Sequence, residues 1–281
     1  MQNKTILITG GSSGIGFETA IALAKKGATI YIVGRNADKT KQAVEEIKKQ
    51  SANDKIDFFI ADLSSQKQIR KLAEEIKLKL TRLDVLINNA GAVFQTLQYT
   101  EDKIESTFAT NHLNYFLLTN LLLDLLKASA PARIVNVSSH SHYPGRIDFN
   151  DLNMTKKYHI LRAYERSKVS NVLFTIELAE RLKGSGVTVN VLHPGKVKTD
   201  IGVKNTSLFT KIVWKTLTSI LAVSVKKGAE TSVYLASAKE VANTTGKYFS
   251  DCKEKMPSTY SQTKGLKERL WKVSEDLTNT N

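Results

Sequence analysis

Two short patterns in this sequence are chemically capable. Tyr164-Glu165-Arg166-Ser167-Lys168 places a phenol four residues before an amine. On a helix, positions i and i+4 share a face, so phenol and ammonium project into one space. A free tyrosine has a pKa near about 10 and is a poor acid or base at neutral pH. A neighbouring ammonium favours the phenolate, so Lys168 is expected to lower the Tyr164 pKa toward the range where proton transfer is efficient. Ser139 follows the apolar run Arg133 to Val137 and can donate a hydrogen bond to a substrate oxygen. Hydride transfer to a carbonyl builds negative charge on that oxygen, and a donor aimed at it stabilises the transition state. Each pattern alone is ordinary, since most Y-x-x-x-K pairs on helices are surface pairs.

A third stretch supplies a place for an anion. Thr9-Gly10-Gly11-Ser12-Ser13-Gly14-Ile15-Gly16 lies between the apolar run Thr5 to Ile8 and the helix-forming run Phe17 to Ala24. Glycines let phosphates approach the backbone, and a helix N-terminus offers unpaired N–H groups and partial positive charge. The spacing is G-x-x-x-G-x-G, not the commoner dinucleotide spacing G-x-G-x-x-G. No Lys-Ser/Thr pair follows the last glycine, so it is not a P-loop. Taken alone, the turn could equally be a tight strand-to-helix connection that binds nothing.

The elements that must position these groups alternate along the chain. Strands are expected at Thr5 to Ile8, 28–33, 56–60, 83–87, 133–137 and 187–192, with a seventh at 247–250. Helices are expected from 17, over 38–50, 65–80, 101–128, 162–182 and 226–237, and as a charged, exposed helix within 259–277. This rhythm means βαβ units, a parallel sheet covered on both faces, and a doubly wound α/β fold of the Rossmann type in one domain. Residues 1–250 would form the nucleotide-binding and catalytic domain and 251–281 a C-terminal extension. Ligands in such sheets sit beyond the carboxyl ends of the strands, where every motif quoted above falls.

Strand two ends in Gly34-Arg35-Asn36, without the carboxylate that would accept the ribose hydroxyls of NAD. Arg35 can instead grip a 2′-phosphate, so NADP(H) is favoured over NAD(H). Asp62, after strand three, can accept from an adenine amino group or serve as a turn or cap residue.

Lys and Arg number 41 against 27 Asp and Glu, a net charge of +14. The basic residues are scattered over many helices, with no dense block and no interleaved aromatics. A solvated basic surface is expected, not a nucleic-acid groove. Cys252 is the only cysteine, so no intrachain disulfide can form and a reducing, cytoplasmic setting is expected. The first strand begins by Thr5, so neither a signal peptide nor an N-terminal anchor is expected. No apolar stretch of about 18 residues announces a transmembrane helix.

Taken together, the motifs resemble the short-chain dehydrogenase/reductase family over about residues 4–250. The glycine turn, Asn88-Asn89-Ala90-Gly91, Val137-Ser138-Ser139, Tyr164-x-x-x-Lys168 and Pro194-Gly195 stand in family order. The resemblance implies that Tyr164 is the proton donor or acceptor and that Ser139 orients substrate. It implies that Lys168 holds the nicotinamide ribose and tunes Tyr164. It further implies that Asn111, in Thr110-Asn111-His112-Leu113, completes a tetrad by breaking its helix and holding a relay water. Thr199 matches the residue that holds the carboxamide. The expected cofactor contacts are Gly10, Ser12, Ser13, Gly14, Ile15, Gly16, Arg35, Asp62, Leu63, Asn88, Ala90, Gly91, Pro194, Gly195, Val197 and Thr199, with Tyr164 and Lys168.

Within the family, Asn111-His112-Leu113, Phe149-x-Asp151-Leu152-Asn153, Ser167-Lys168-x-x-Asn171 and Leu173-Phe174 are similar to the retinol-dehydrogenase-like branch. Lys196 after Pro-Gly and Asn114-Tyr115 depart from that branch. The implied activity is an NADP(H)-dependent hydride transfer on an apolar ketone, aldehyde or alcohol. A non-catalytic dinucleotide sensor is the rival reading. A homodimer through the helices near 112–127 and 162–182 is implied by resemblance. Residues 203–224 have the spacing of an amphipathic helix, which could be a substrate lid, a core helix or a contact with a membrane surface. His140-Ser141-His142 lacks an evident third metal ligand, so a loop is expected and no metal.

Overall fold

The computed structural model describes residues 1–195 and 224–280. The segment 203–224, apart from its last residue, lies outside the described residues, as do Lys196, Val197 and Thr199.

Eight strands form one sheet in the order β3-β2-β1-β4-β5-β6-β7-β8. They are β1 (Thr5–Thr9), β2 (Thr29–Gly34), β3 (Ile56–Ile60), β4 (Val85–Asn88), β5 (Ala132–Val137), β6 (Val187–Leu192), β7 (Tyr248–Ser250) and β8 (Lys253–Lys255). All pairings are parallel except β7 with β8, an antiparallel edge that the sequence reading did not include. The described helices are α1 (Gly14–Ala24), α2 (Ala37–Ser51), α3 (Gln66–Lys79), α4 (Ser106–Phe108), α5 (Asn114–Ala128), α6 (Ile160–Arg181), α7 (Val225–Ser237) and α8 (Leu266–Thr278). The strand order reverses beside β1 and β4, which opens a crevice at their carboxyl ends.

Because side chains alternate across a strand, the apolar strands feed two cores. Leu7, Val33, Leu86, Ile134 and Val189 join α3, α5 and α6 on one face. Ile8, Ile32, Ile87 and Val135 join α1, α2 and α7 on the other. The two cores clamp the strand ends that carry the motifs.

Two expectations are corrected. The helix expected over 101–128 is interrupted: Tyr99 bridges Glu105, α4 is one turn, and Ala109–Leu113 form a π-turn before α5. Glu105 explains the break, since its carboxylate accepts from the Thr107 and Phe108 amides and starts the helix there. The C-terminal helix is not an exposed appendage. Leu270, Trp271, Ser274 and Thr278 of α8 are buried, and Trp271 packs on Phe116 of α5 and Phe174 of α6. Gln66 and Arg70 of α3 donate to the Leu277 and Thr278 carbonyls at its end. Its charges lie on the outer side, and an apolar stripe at helical spacing seats it. It therefore occupies part of the α5–α6 surface on which the sequence reading placed a homodimer contact.

Candidate active site

The glycine turn is fastened from below by β4. Thr9 Oγ1 accepts from the Asn89 and Ala90 amides at 2.9 and 3.0 Å, and Asn89 Nδ2 donates to the Thr9 carbonyl at 2.8 Å. Asn88 is wholly buried and donates from Nδ2 to Thr119 and Asn136. Asn89 had no role in the sequence reading, although it sits inside the quoted Asn-Asn-Ala-Gly motif.

The turn fits a dinucleotide's phosphates. Ser13 is the N-cap of α1, yet its side chain makes no capping hydrogen bond, whereas Asn36 and Ser65 cap α2 and α3. Gly14 has φ +61°, and a Cβ there would meet nothing within 4 Å. The turn thus leaves an open cradle at an uncapped helix start, which is where an anion binds. Gly16 is required for another reason: a Cβ would lie 2.5 Å from Asn89 Nδ2 and 2.6 Å from the Gly10 carbonyl oxygen. Gly16→Ala is expected to cost about 1–3 kcal/mol of stability through overpacking, read by thermal or denaturant unfolding. An unchanged unfolding midpoint would show that the turn relaxes around the methyl.

Arg35 and Asp62 face each other at the ends of β2 and β3, with Arg35 Nη1 3.7 Å from Asp62 Oδ2. Asp62 Oδ1 accepts from the Ser64 amide and hydroxyl at 2.9 and 2.7 Å, so it serves as a turn residue. Leu63 beside it is buried. The Arg35 side chain is 75% exposed and free to turn toward a ligand.

Ser139, Tyr164 and Lys168, the groups expected to react, converge at the carboxyl ends of β4 and β5. Ser139 caps the turn His140–His142, its Oγ accepting from the Ser141 amide at 3.2 Å. Tyr164 and Lys168 lie on α6, with Lys168 Nζ 5.5 Å from the centroid of the Tyr164 ring. That ammonium is buried and donates to the Val137 carbonyl at 3.2 Å. Gly91 closes the same space, since a Cβ on it would stand 3.7 Å from Lys168 Nζ.

The electrostatics differ from the sequence expectation. Burial pushes the Tyr164 phenol above its ordinary value, and only the hydrogen bond with Ser139 pulls it back. The Lys168 ammonium, 5.5 Å from the ring centroid and turned to Val137, does not offset that burial. Burial brings Lys168 itself down to about 8. In this state the phenol is an acid that holds its proton through the neutral range.

Asn111 sits in the π-turn, which breaks the helix as the resemblance implied. Its side chain holds Ala92 and α6: Oδ1 accepts from the Ala92 amide at 2.7 Å, and Nδ2 donates to the Ala92 carbonyl at 2.9 Å and to Ser167 Oγ at 3.1 Å. It therefore holds the chain just after Gly91. Gly195 has φ +83° and donates to His193 Nδ1 at 3.0 Å, which turns the chain after Pro194.

His142 was dismissed as a loop residue and proves structural. Nδ1–H donates to the Ser139 carbonyl at 2.8 Å and Nε2 accepts from the Ser258 amide at 3.1 Å. Burial holds it neutral, at about 4. No sequence signal could have found its partner 116 residues away. Among the described residues no cluster of three His, Cys, Asp or Glu could hold a metal.

The short chain dehydrogenase family model matches residues 4–207. The chain belongs to the short-chain dehydrogenase family. Human retinol dehydrogenase 13 is 44% identical over 282 residues, covering 99% of this chain and 85% of that protein. Mouse retinol dehydrogenase 12 is 44% identical, covering 99% and 87%. Among solved structures, this short-chain dehydrogenase superposes on an uncharacterised protein from Mycobacterium paratuberculosis with TM-score 0.79 at 32% identity, covering 99% of this chain and 94% of that one. An NADP complex of RhlG from Pseudomonas aeruginosa superposes with TM-score 0.69 at 27% identity, covering 89% and 94%. It is a retinol-dehydrogenase-like oxidoreductase acting on CH–OH groups with NAD(P). Among the described residues, no helix of this short-chain dehydrogenase is long and apolar enough to cross a membrane.

Proposed function

We propose that this enzyme interconverts an apolar ketone or aldehyde and its alcohol with NADP(H), and that Tyr164 moves the proton. The observation that carries the reading is the Tyr164 phenol, desolvated beside Ser139 and with the Lys168 ammonium 5.5 Å from its ring centroid, at the strand ends that face the glycine cradle. The cofactor would lie across Gly14 to Gly16, Ala90 and Gly91, and it supplies the hydride. In reduction, Tyr164 gives its proton to the carbonyl oxygen while the Ser139 hydroxyl donates a hydrogen bond to the same atom. In oxidation, the phenolate takes the proton back. Lys168 opposes the phenolate's charge from beneath the ring, and Asn111 keeps the chain after Gly91 in place.

NADP(H) is favoured because Arg35, not a carboxylate, ends β2. Ser12 and Ser13 border a surface cleft that Lys39 and Glu46 also line. Arg35→Ala is expected to weaken NADPH by roughly tenfold, an exposed charge-assisted contact, and to leave NADH nearly unchanged. Equal losses for both cofactors in a fluorescence titration would remove the phosphate contact.

The test of the function is NADPH oxidation against apolar ketones and aldehydes. The relatives' printed names put retinoids on that panel. Turnover with any member supports the reading. Tight NADPH binding without turnover across a broad panel would favour the sensor.

A further inference from the structure

Beneath the reacting groups lies a chain of buried polar contacts that the reaction does not use directly. Asn171 is three residues after Lys168 on α6, so both side chains leave the same face. Asn171 Nδ2 donates to the Asn111 carbonyl at 2.9 Å and stands 3.5 Å from the Val137 carbonyl, the acceptor of Lys168. Tyr115 Oη approaches that same oxygen at 3.4 Å. Behind Asn171, its Oδ1 meets His112 Nδ1 at 3.3 Å, and His112 Nε2 meets Ser274 Oγ of α8 at 3.0 Å. Asn111, His112, Asn171 and Ser274 are all fully buried.

Donor and acceptor roles are settled by elimination. The Asn171 amide nitrogen faces a carbonyl, so its oxygen faces His112 and Nδ1 must carry the proton. Full burial and the nearby Arg166 guanidinium hold the imidazole neutral, at about 3. Nε2 is then an acceptor for the Ser274 hydroxyl at 3.0 Å, which shares its one hydrogen between that nitrogen and the Leu270 carbonyl at 2.8 Å.

We propose that Asn171 and His112 are positioning residues of this active site, held by Ser274 of the C-terminal helix, and that together they set the acceptors open to the Lys168 ammonium. The proposal rests on Lys168 belonging to the working site. Asn171 donates chiefly to the Asn111 carbonyl at 2.9 Å, so that Lys168, at 3.2 Å, is the nearest of the three donors on the Val137 carbonyl. Without Asn171, the Asn111 carbonyl loses its donor and the ammonium gains acceptors, so Lys168 is displaced and its charged form is favoured. The C-terminal helix thereby becomes part of the catalytic frame.

The test compares Asn171→Leu, Ser274→Ala and Ser274→Thr in the full chain. Asn171→Leu is expected to lower kcat about 10- to 100-fold, the order expected for a misplaced reacting group, with KM for NADPH nearly unchanged. Ser274→Ala should show a smaller loss in the same direction, and Ser274→Thr, which keeps the hydroxyl, should restore it. A second readout needs no turnover: in a lysine-labelled NMR titration, the Lys168 midpoint should rise in Asn171→Leu and, less, in Ser274→Ala. Should Asn171→Leu fail to fold, the two Ser274 variants decide. If wild type turns over no substrate, the proposed function has failed, and the Lys168 midpoint still decides this inference. Variants that lose thermal stability but keep both kcat and the Lys168 midpoint would overturn it.

Discussion

Replacing Tyr164 with Phe is expected to lower kcat by about 10²–10⁴-fold, the usual contribution of one general acid or base, with little change in NADPH affinity. The ring still fills its place on α6 and still covers Lys168. What is lost is the hydroxyl that meets Ser139 and the substrate oxygen. A loss in kcat and in kcat/KM together would identify an interaction made in the transition state. The pH dependence gives the sign. Burial raises the phenol's pKa, so the protonated form needed for reduction persists through neutral pH and is lost only as pH rises through that raised value. Oxidation needs the phenolate, so its rate should climb as pH rises. A Phe variant that keeps its turnover, or oxidation that falls with alkaline pH, would take the phenol out of the reaction.

The largest effect on stability is expected at Glu105. Its carboxylate is fully buried, accepts from the Thr107 and Phe108 amides, and pairs with Arg166 Nη2 at 2.7 Å. Arg166 also donates to the Leu152 carbonyl and stacks on Phe108, 4.9 Å from its centroid. Glu105→Ala leaves a buried guanidinium without its counter-charge and two amides without an acceptor. Breaking one side of a buried pair costs about 3–5 kcal/mol, which at this size lowers Tm by on the order of 10 °C. Glu105→Gln keeps an acceptor for the amides and should lose less. Calorimetry that finds the Ala variant within about 2 °C of wild type would show that water or Arg166's other partners satisfy the site. The pair matters to function because it ties α6, which carries Tyr164, to the π-turn that carries Asn111.

Strand ends were readable because a parallel sheet buried on both faces writes continuous apolar runs, and each run here stops at its motif. Two helix starts were read to within a residue, 38 against Ala37 and 65 against Gln66, and the structure shows Asn36 and Ser65 capping them. The resemblance implied a break at Asn111, but the helix start at Ser106 was hidden, since the carboxylate of Glu105 that caps it looks like any surface glutamate. The seat of α8 was hidden for a related reason. Its many charges suggested exposure, yet four positions at helical spacing suffice to bury one side against α5 and α6.

From its sequence alone, this protein declared its family and its doubly wound fold and nominated the groups proposed to react, because residue type and order along the chain carry those. Only the folded chain decided how the groups stand toward one another. Lys168 stands 5.5 Å from the centroid of the phenol ring and donates to Val137, so burial outweighs the ammonium and Tyr164 rests as an acid. His112, His142 and the C-terminal helix join the site through partners far away in sequence. Such contacts leave no periodic trace, since they depend on where two cores and one sheet bring separate segments together.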